Sequence, residues 1–275
     1  MKYNKLIVSG CSFVADIHDL EDIKRNIQPE YVKNFIRKYP NKNAAELRKL
    51  PEYINLSKNY IEYKWTTLLK NYLDVPLVDF ADGGNSNPRI FRDITNYLIE
   101  NKNDTNNLVI IGTTALNRIN RWLDYKQEYI NLHLKNFDKF EKIENLYSSH
   151  LFDNPNDLAD YQMLYLKYFH DEEESLRQVQ ENIDLLKYIC KQQNHRLFIF
   201  DNLIFSTSRN KRILGRTEDP LKEKFMKDNH ENLLYFEDDI FCFPKFIKLY
   251  DNKYVNSHPN RVDHKIFFDI IKDKI

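Results

Sequence analysis

The side chains best suited to chemistry in this 275-residue chain follow short apolar runs or precede the last helical stretch. After Leu6-Ile7-Val8 comes Ser9-Gly10-Cys11-Ser12-Phe13. A serine placed just past a buried first strand presents its hydroxyl at the carboxyl edge of a sheet, where an acyl-transfer nucleophile is needed. Read alone, Ser12 is equally a turn or cap residue. Cys11 is the rival nucleophile, although as its neighbour it faces elsewhere, and buried thiols serve more often as packing. The second turn reads Ala81-Asp82-Gly83-Gly84-Asn85-Ser86-Asn87-Pro88. Its free backbone N–H groups ahead of a helix suit an anion or oxyanion, and Ser86 or Asn87 equally caps that helix before Pro88. The third, Gly112-Thr113-Thr114-Ala115-Leu116-Asn117-Arg118, adds hydroxyls and a guanidinium at the same edge. Near the end stands Asn256-Ser257-His258-Pro259, where Pro259 fixes the chain behind His258, a position suited to a rigid general base. His264 falls inside the final helix and is expected to be structural.

These residues need a scaffold that brings turns from distant parts of the chain to one edge. Four segments read as buried strands: 5–9, 76–80, 107–111 and 196–200, each short, apolar and bounded by polar or turn residues. A fifth, 233–236, is weaker. Helical patterns separate them, so parallel strands with right-handed crossovers and helices on both faces are expected, with the ligand site beyond the carboxyl ends of the strands. Ile90, Ile94 and Leu98 form one stripe of a compact helix over 87–101. Tyr60, Tyr63, Trp65, Leu68 and Leu69 give an apolar face ahead of the second strand. The stretch 117–194 is too long for a simple crossover and reads as two or three amphipathic helices broken near Asn154-Pro155-Asn156. It is expected to be an insertion within a single 1–275 domain, serving as a lid or partner surface, or as a dimer contact. The run Asp171-Glu172-Glu173-Glu174 suits a solvated helix N-terminus. The basic residues Arg209, Lys211, Arg212, Arg216, Lys222 and Lys224 read as a solvated loop, with an anion-binding loop as the alternative.

Taken in order, Gly10-Cys11-Ser12-Phe13, Ala81-x-x-Gly84-x-Ser86-Asn87, Gly112 with Thr114 and Arg118, and His258-Pro259 with His264 resemble the SGNH (GDSL-like) hydrolase family. The likeness is greatest to its G-C-S-F variant, found in phage and bacterial proteins. The resemblance implies a three-layer α/β/α flavodoxin-like fold with about five parallel strands in the order 2-1-3-4-5. It implies a serine esterase or deacetylase that cleaves an acyl or O-acetyl ester, of a small molecule or a carbohydrate, through an acyl-serine. In that scheme Ser12 is the nucleophile and His258 the base, and Ser12, Gly84 and Thr114 form the oxyanion hole. Asn85, Asn87, Arg118 and Asn256 line the site. The chain departs from the pattern in two places. The family has an Asp three residues before its catalytic His, where this chain has Val255, so a Ser–His dyad is implied. Backbone, Asn256 or Asp251 remain to orient the imidazole. The family's third block supplies an Asn where this chain has Thr114. Loss of the orienting carboxylate costs a serine protease about ten-thousand-fold in turnover. A catalytically degenerate binding or assembly module on the same fold is therefore the alternative.

Composition narrows the rest. Lys and Arg number 41 and Asp and Glu 41, so the formal net charge is zero and no global field favours nucleic acid or an anionic membrane. Three widely spaced cysteines without a C-x-x-C suggest neither a disulfide framework nor structural zinc, and point to a reducing interior. No signal-peptide core or membrane span is apparent, so a cytoplasmic protein is expected. No metal or cofactor is implied, since neither G-x-G-x-x-G nor a Walker pattern occurs. A homo-oligomer through 117–194 is a further expectation. Glycine is scarce, five in 275, and four of the five follow the first three predicted strands.

Overall fold

The computed structural model describes residues 3–11, 14, 34–35, 37–42, 46–47, 49–53, 59–116, 118–123, 128–133, 160–161, 164–165, 167–202, 204, 220–236, 239–240, 259 and 261–275. The strands arise where apolar runs are short enough to be buried on both faces. Leu6–Ser9 (β1) and Leu108–Gly112 (β3) are buried at every position, and Arg196–Phe200 (β6) at all but its first. With Leu77–Asp79 (β2) they form one parallel sheet in the order β2-β1-β3-β6. A parallel bridge from Ile199 to Leu233 extends the sheet by one position. The expected order 2-1-3-4-5 is thus met over four strands, and the fifth is reduced to that bridge. Beyond it the chain leaves the sheet, because Tyr235–Phe236 (β7) pairs antiparallel with Asp239–Ile240 (β8).

Alternate residues of each strand serve opposite faces. Leu6, Val8, Leu108, Ile110, Phe198 and Phe200 meet Trp65 and Leu69 of Trp65–Leu73 (α1) and Phe267, Phe268 and Ile271 of Arg261–Lys272 (α5). Trp65, Phe200 and Phe267 are fully buried, and Trp65 meets Phe267 edge-on at 5.0 Å. His264 is buried here, its Nδ1 accepting from the Trp65 N–H at 3.3 Å, in keeping with a structural role. Ile7, Val109, Ile111, Leu197 and Ile199 face the other way. There they meet Ile90, Phe91, Ile94 and Leu98 of Asn87–Glu100 (α2), and the apolar stripe of Glu172–Gln192 (α3). Phe225 of Pro220–Asn229 (α4) joins the same layer. The result is the expected α/β/α arrangement. Tyr63 departs from the predicted apolar face, being 43 % exposed.

The 117–194 stretch is not helical throughout. It opens with an antiparallel hairpin, Arg118–Leu123 (β4) and Glu128–His133 (β5). It closes with α3, which packs on the sheet as an ordinary covering helix through Leu176, Val179, Ile183 and Leu186. Asp171 caps α3, its Oδ1 accepting from the N–H groups of Glu173 and Glu174 at 2.8 and 3.1 Å. The break expected near Asn154-Pro155-Asn156, and Arg209, Lys211, Arg212 and Arg216, lie outside the described residues. No helix among the described residues is long and apolar enough to cross a membrane.

Candidate active site

Four turns meet at the carboxyl edge of the sheet, and side-chain amides tie them together. After β1, the Gly10 carbonyl accepts from the Asp82 N–H at 3.2 Å and from Asn85 Nδ2 at 3.0 Å. Asn85 Nδ2 also reaches the Phe80 carbonyl at 3.3 Å, so one buried amide holds the second turn to itself and to the first. Gly84 lies between these contacts at φ 79°, a left-handed conformation that favours glycine and lets the chain reverse into α2. The turn ends at Ser86, the N-cap position of α2, with Pro88 in the helix's first turn.

Asn87 connects the second turn to the third. Its Oδ1 accepts from the Thr114 N–H at 2.8 Å and its Nδ2 donates to the Thr114 carbonyl at 2.8 Å, so one side chain satisfies both backbone groups of Thr114. Thr113 continues the chain of contacts to the fourth turn, its Oγ1 lying 3.2 Å from Asp201 Oδ1, which also accepts from the Ile204 N–H at 2.7 Å. Asn202 closes the ring, its Nδ2 3.9 Å from Cys11 Sγ. Gly112 is required by closeness: a Cβ there would stand 2.6 Å from Asn202 Nδ2 and 2.7 Å from Phe200 Cζ. Asp201 and Asn202 are absent from the sequence-derived set. Their only signal is two polar residues directly behind a buried strand.

Polar atoms in this ring are left without a hydrogen-bond partner, Thr114 Oγ1 and Asn85 Oδ1 among them. Thr114 is fully buried and its Oγ1 makes no hydrogen bond, and the same holds for Asn85 Oδ1. Such atoms are rare in folded proteins because each forfeits its hydration without recompense. Cys11 is fully buried within the apolar layer that contains Val8, Val14 and Trp65, which leaves it as packing. Burial alone pushes the Cys190 thiol up to about 12, far from the edge and inert as a nucleophile. Among the described residues no group of three or more His, Cys, Asp or Glu could hold a metal ion.

Of the residues singled out in the sequence, Gly84, Asn85, Asn87 and Thr114 are thus joined through the second and third turns. Ser12, His258 and Asn256 lie outside the described residues. Their flanks are described: the Val14 N–H donates to the Cys11 carbonyl at 2.8 Å, and Pro259 is buried just ahead of α5. Arg118 stands at the start of β4, lining a cleft of about 160 Å³ between the first turn of α2 and the N-terminal half of α3. Asn87 lines the same cleft, so it borders both Thr114 and this space.

No protein-family model and no curated protein matches the chain. Among solved structures, a member of the lipolytic protein G-D-S-L family from Veillonella parvula DSM 2008 is similar at 8 % identity and TM-score 0.43, over 98 % of this chain and 96 % of that one. The psychrotrophic esterase EstA from Pseudoalteromonas sp., inhibited by monoethylphosphonate, is similar at 11 % identity and TM-score 0.42, over 98 % and 95 %. The lipase Lip_vut3 from a goat rumen metagenome is similar at 12 % identity and TM-score 0.38, over 98 % and 96 %. These likenesses are loose, and the function proposed next stands on the chain's own residues.

Proposed function

We propose that the chain is a serine ester hydrolase acting on a small acyl or O-acetyl ester, with Ser12 as nucleophile and His258 as its base. As Ser12 Oγ bonds to the acyl carbon, its proton passes to His258, and the carbonyl oxygen becomes an oxyanion. Collapse of that intermediate breaks the bond to the leaving alkoxide, which takes the proton from His258. Water, deprotonated by His258, then releases the acid and restores Ser12. The N–H groups of Ser12 and Gly84 and the hydroxyl of Thr114 stabilise the oxyanion.

The observation that carries this proposal is the unpartnered Thr114 hydroxyl. It is held in a turn whose backbone is fully satisfied by Asn87, at the edge where the Gly84 turn also arrives. A donor without a structural use, in a turn fixed by its neighbour, is what preorganised stabilisation of developing charge requires. Phe267 of α5 packs 5.1 Å from Phe200, the last residue of β6, and Pro259, two residues ahead of that helix, is buried. Turnover of p-nitrophenyl acetate and a fluorophosphonate adduct on Ser12 are the expected results, both lost in Ser12→Ala. Activity unchanged in Ser12→Ala would refute the nucleophile.

A binding or assembly module on the same fold is the second reading, favoured by Val255 at the position where a carboxylate would orient His258. It predicts no labelling by the fluorophosphonate.

A further inference from the structure

The cleft beside Asn87 combines three features that take no part in the acyl-transfer steps. The first is an unspent cation. Arg118 is half-buried and lines the cleft, and its Nε and Nη1 have no hydrogen-bond partner. Unpaired guanidinium nitrogens are disfavoured unless an acceptor arrives, and carboxylate oxygens are among the acceptors that suit them best. The other charged residues lining the cleft are already engaged. Both oxygens of Glu174 are held by Arg177 and Gln178, and Asp171 Oδ1 caps α3. Arg118 is therefore the cleft's one charge without a protein partner among the described residues.

The second feature is an aromatic wall. Tyr165 and Phe169 lie one turn apart with ring centroids 5.9 Å apart, and Phe169 is 72 % exposed. The third is size together with polarity. About 160 Å³ is below the usual range for drug-sized ligands and suits one six-membered ring. The carboxylates of Asp171 and Glu174 also line it, and carboxylate oxygens accept from hydroxyl groups.

We propose that this cleft recognises a hydroxylated ring bearing one carboxylate, a uronate-type sugar acid, with Arg118 taking the carboxylate and Tyr165 and Phe169 the ring face. Because Asn87 borders both the cleft and Thr114, the sugar acid is the alcohol portion of the ester whose acyl group meets Ser12, which rests on the hydrolase proposal. Recognition by Arg118 is independent of turnover and is tested by binding alone. Calorimetric titration with D-glucuronate and with D-glucose compares ligands that differ at the carboxylate. Glucuronate is expected to bind about tenfold more tightly or better, as one charge-assisted contact allows. In Arg118→Met the two sugars should bind equally. Equal affinity in the native chain, no binding of either sugar, or a preference that survives Arg118→Met would overturn the proposal. Phe169→Ala truncates an exposed ring and should weaken both sugars. Unchanged affinities there refute the site even where Arg118→Met fails to fold. Ser12→Ala should retain the glucuronate preference. Binding without any Ser12-dependent hydrolysis would defeat the hydrolase proposal alone, whereas hydrolysis of neutral esters without glucuronate preference would defeat the cleft alone.

Discussion

Thr114→Val separates stability from catalysis at a single atom. The substitution keeps the branched shape and replaces Oγ1 with a methyl group. The bonds to Asn87 survive because they run through the Thr114 backbone. A hydroxyl buried without a partner carries a desolvation penalty of about 1–3 kcal/mol, so removing it should stabilise the fold by roughly 1–2 kcal/mol once a small packing mismatch is allowed for. Unfolding entropy scales with length, so 1 kcal/mol moves the melting temperature of a 275-residue chain by only about 2 °C. Urea unfolding at constant m is therefore the more sensitive assay. If the same hydroxyl faces the oxyanion, kcat for p-nitrophenyl acetate should fall about 10²–10³-fold with KM little changed. Higher stability with lower turnover is the signature of a group retained for chemistry. A loss of stability beyond about 1 kcal/mol would mean that the hydroxyl has a structural partner. An unchanged kcat would remove Thr114 from the oxyanion hole.

Two further outcomes are expected. Asn87→Ala strips both backbone partners from buried Thr114, at about 1–3 kcal/mol for each group, so urea unfolding should register a loss of roughly 2–5 kcal/mol, and a loss under 1 would show that the Asn87 contacts are dispensable. Glu172 is held above the ordinary carboxylate range by burial and by the nearby Asp171. A raised carboxyl makes the folded state bind more protons than the unfolded chain, so this group lowers stability as pH rises through the ordinary value and beyond. Glu172→Gln should therefore raise stability at pH 7, and the gain should vanish below about pH 4, where the side chain is protonated in both states. His170 and His195 act in the opposite sense. Burial keeps them neutral, so their contribution is present above the ordinary histidine value and is lost as pH falls through the lowered one. Comparing Glu172→Gln with the native chain at each pH cancels that background.

The parts of the fold that were legible are those where local pattern and tertiary burial agree. Arg196–Phe200 is apolar after its first residue, ends at the polar Asp201, and is found as a strand with the predicted bounds. The hairpin was not legible. Its facing pairs, such as Ile119 with Leu132 and Arg121 with Ile130, mix apolar and charged residues, so no two-residue alternation emerges. Its composition of Tyr, Leu, Asn and Arg resembles the surrounding helical stretch. The fifth strand was legible only as a weak apolar run. One residue, Leu233, bridges to the sheet before Tyr235 pairs elsewhere, and the competing partner, Asp239–Ile240, carries no pattern of its own. Asp171 was readable as a helix start because its partners are two and three residues away.

The candidate site divides along the same line. Glycines behind apolar runs mark where strand-end turns form, and Gly84 and Gly112 do occupy positions that a side chain would strain or crowd. The amides that bind those turns into one edge leave no local trace, since Asn87 reaches 27 positions along the chain and Asn85 reaches 75. Read in sequence, Asn87 is a plausible helix cap. In the fold, Asn85 and Asn87 hold the glycine turn against its neighbours before any ligand arrives. The Thr114 backbone is clamped by Asn87, and its hydroxyl is buried without a partner. The hydrolase and the binding module differ in what they require of residue 114. On the hydrolase proposal a hydroxyl at residue 114 is required, whereas on the binding-module reading valine there would serve as well.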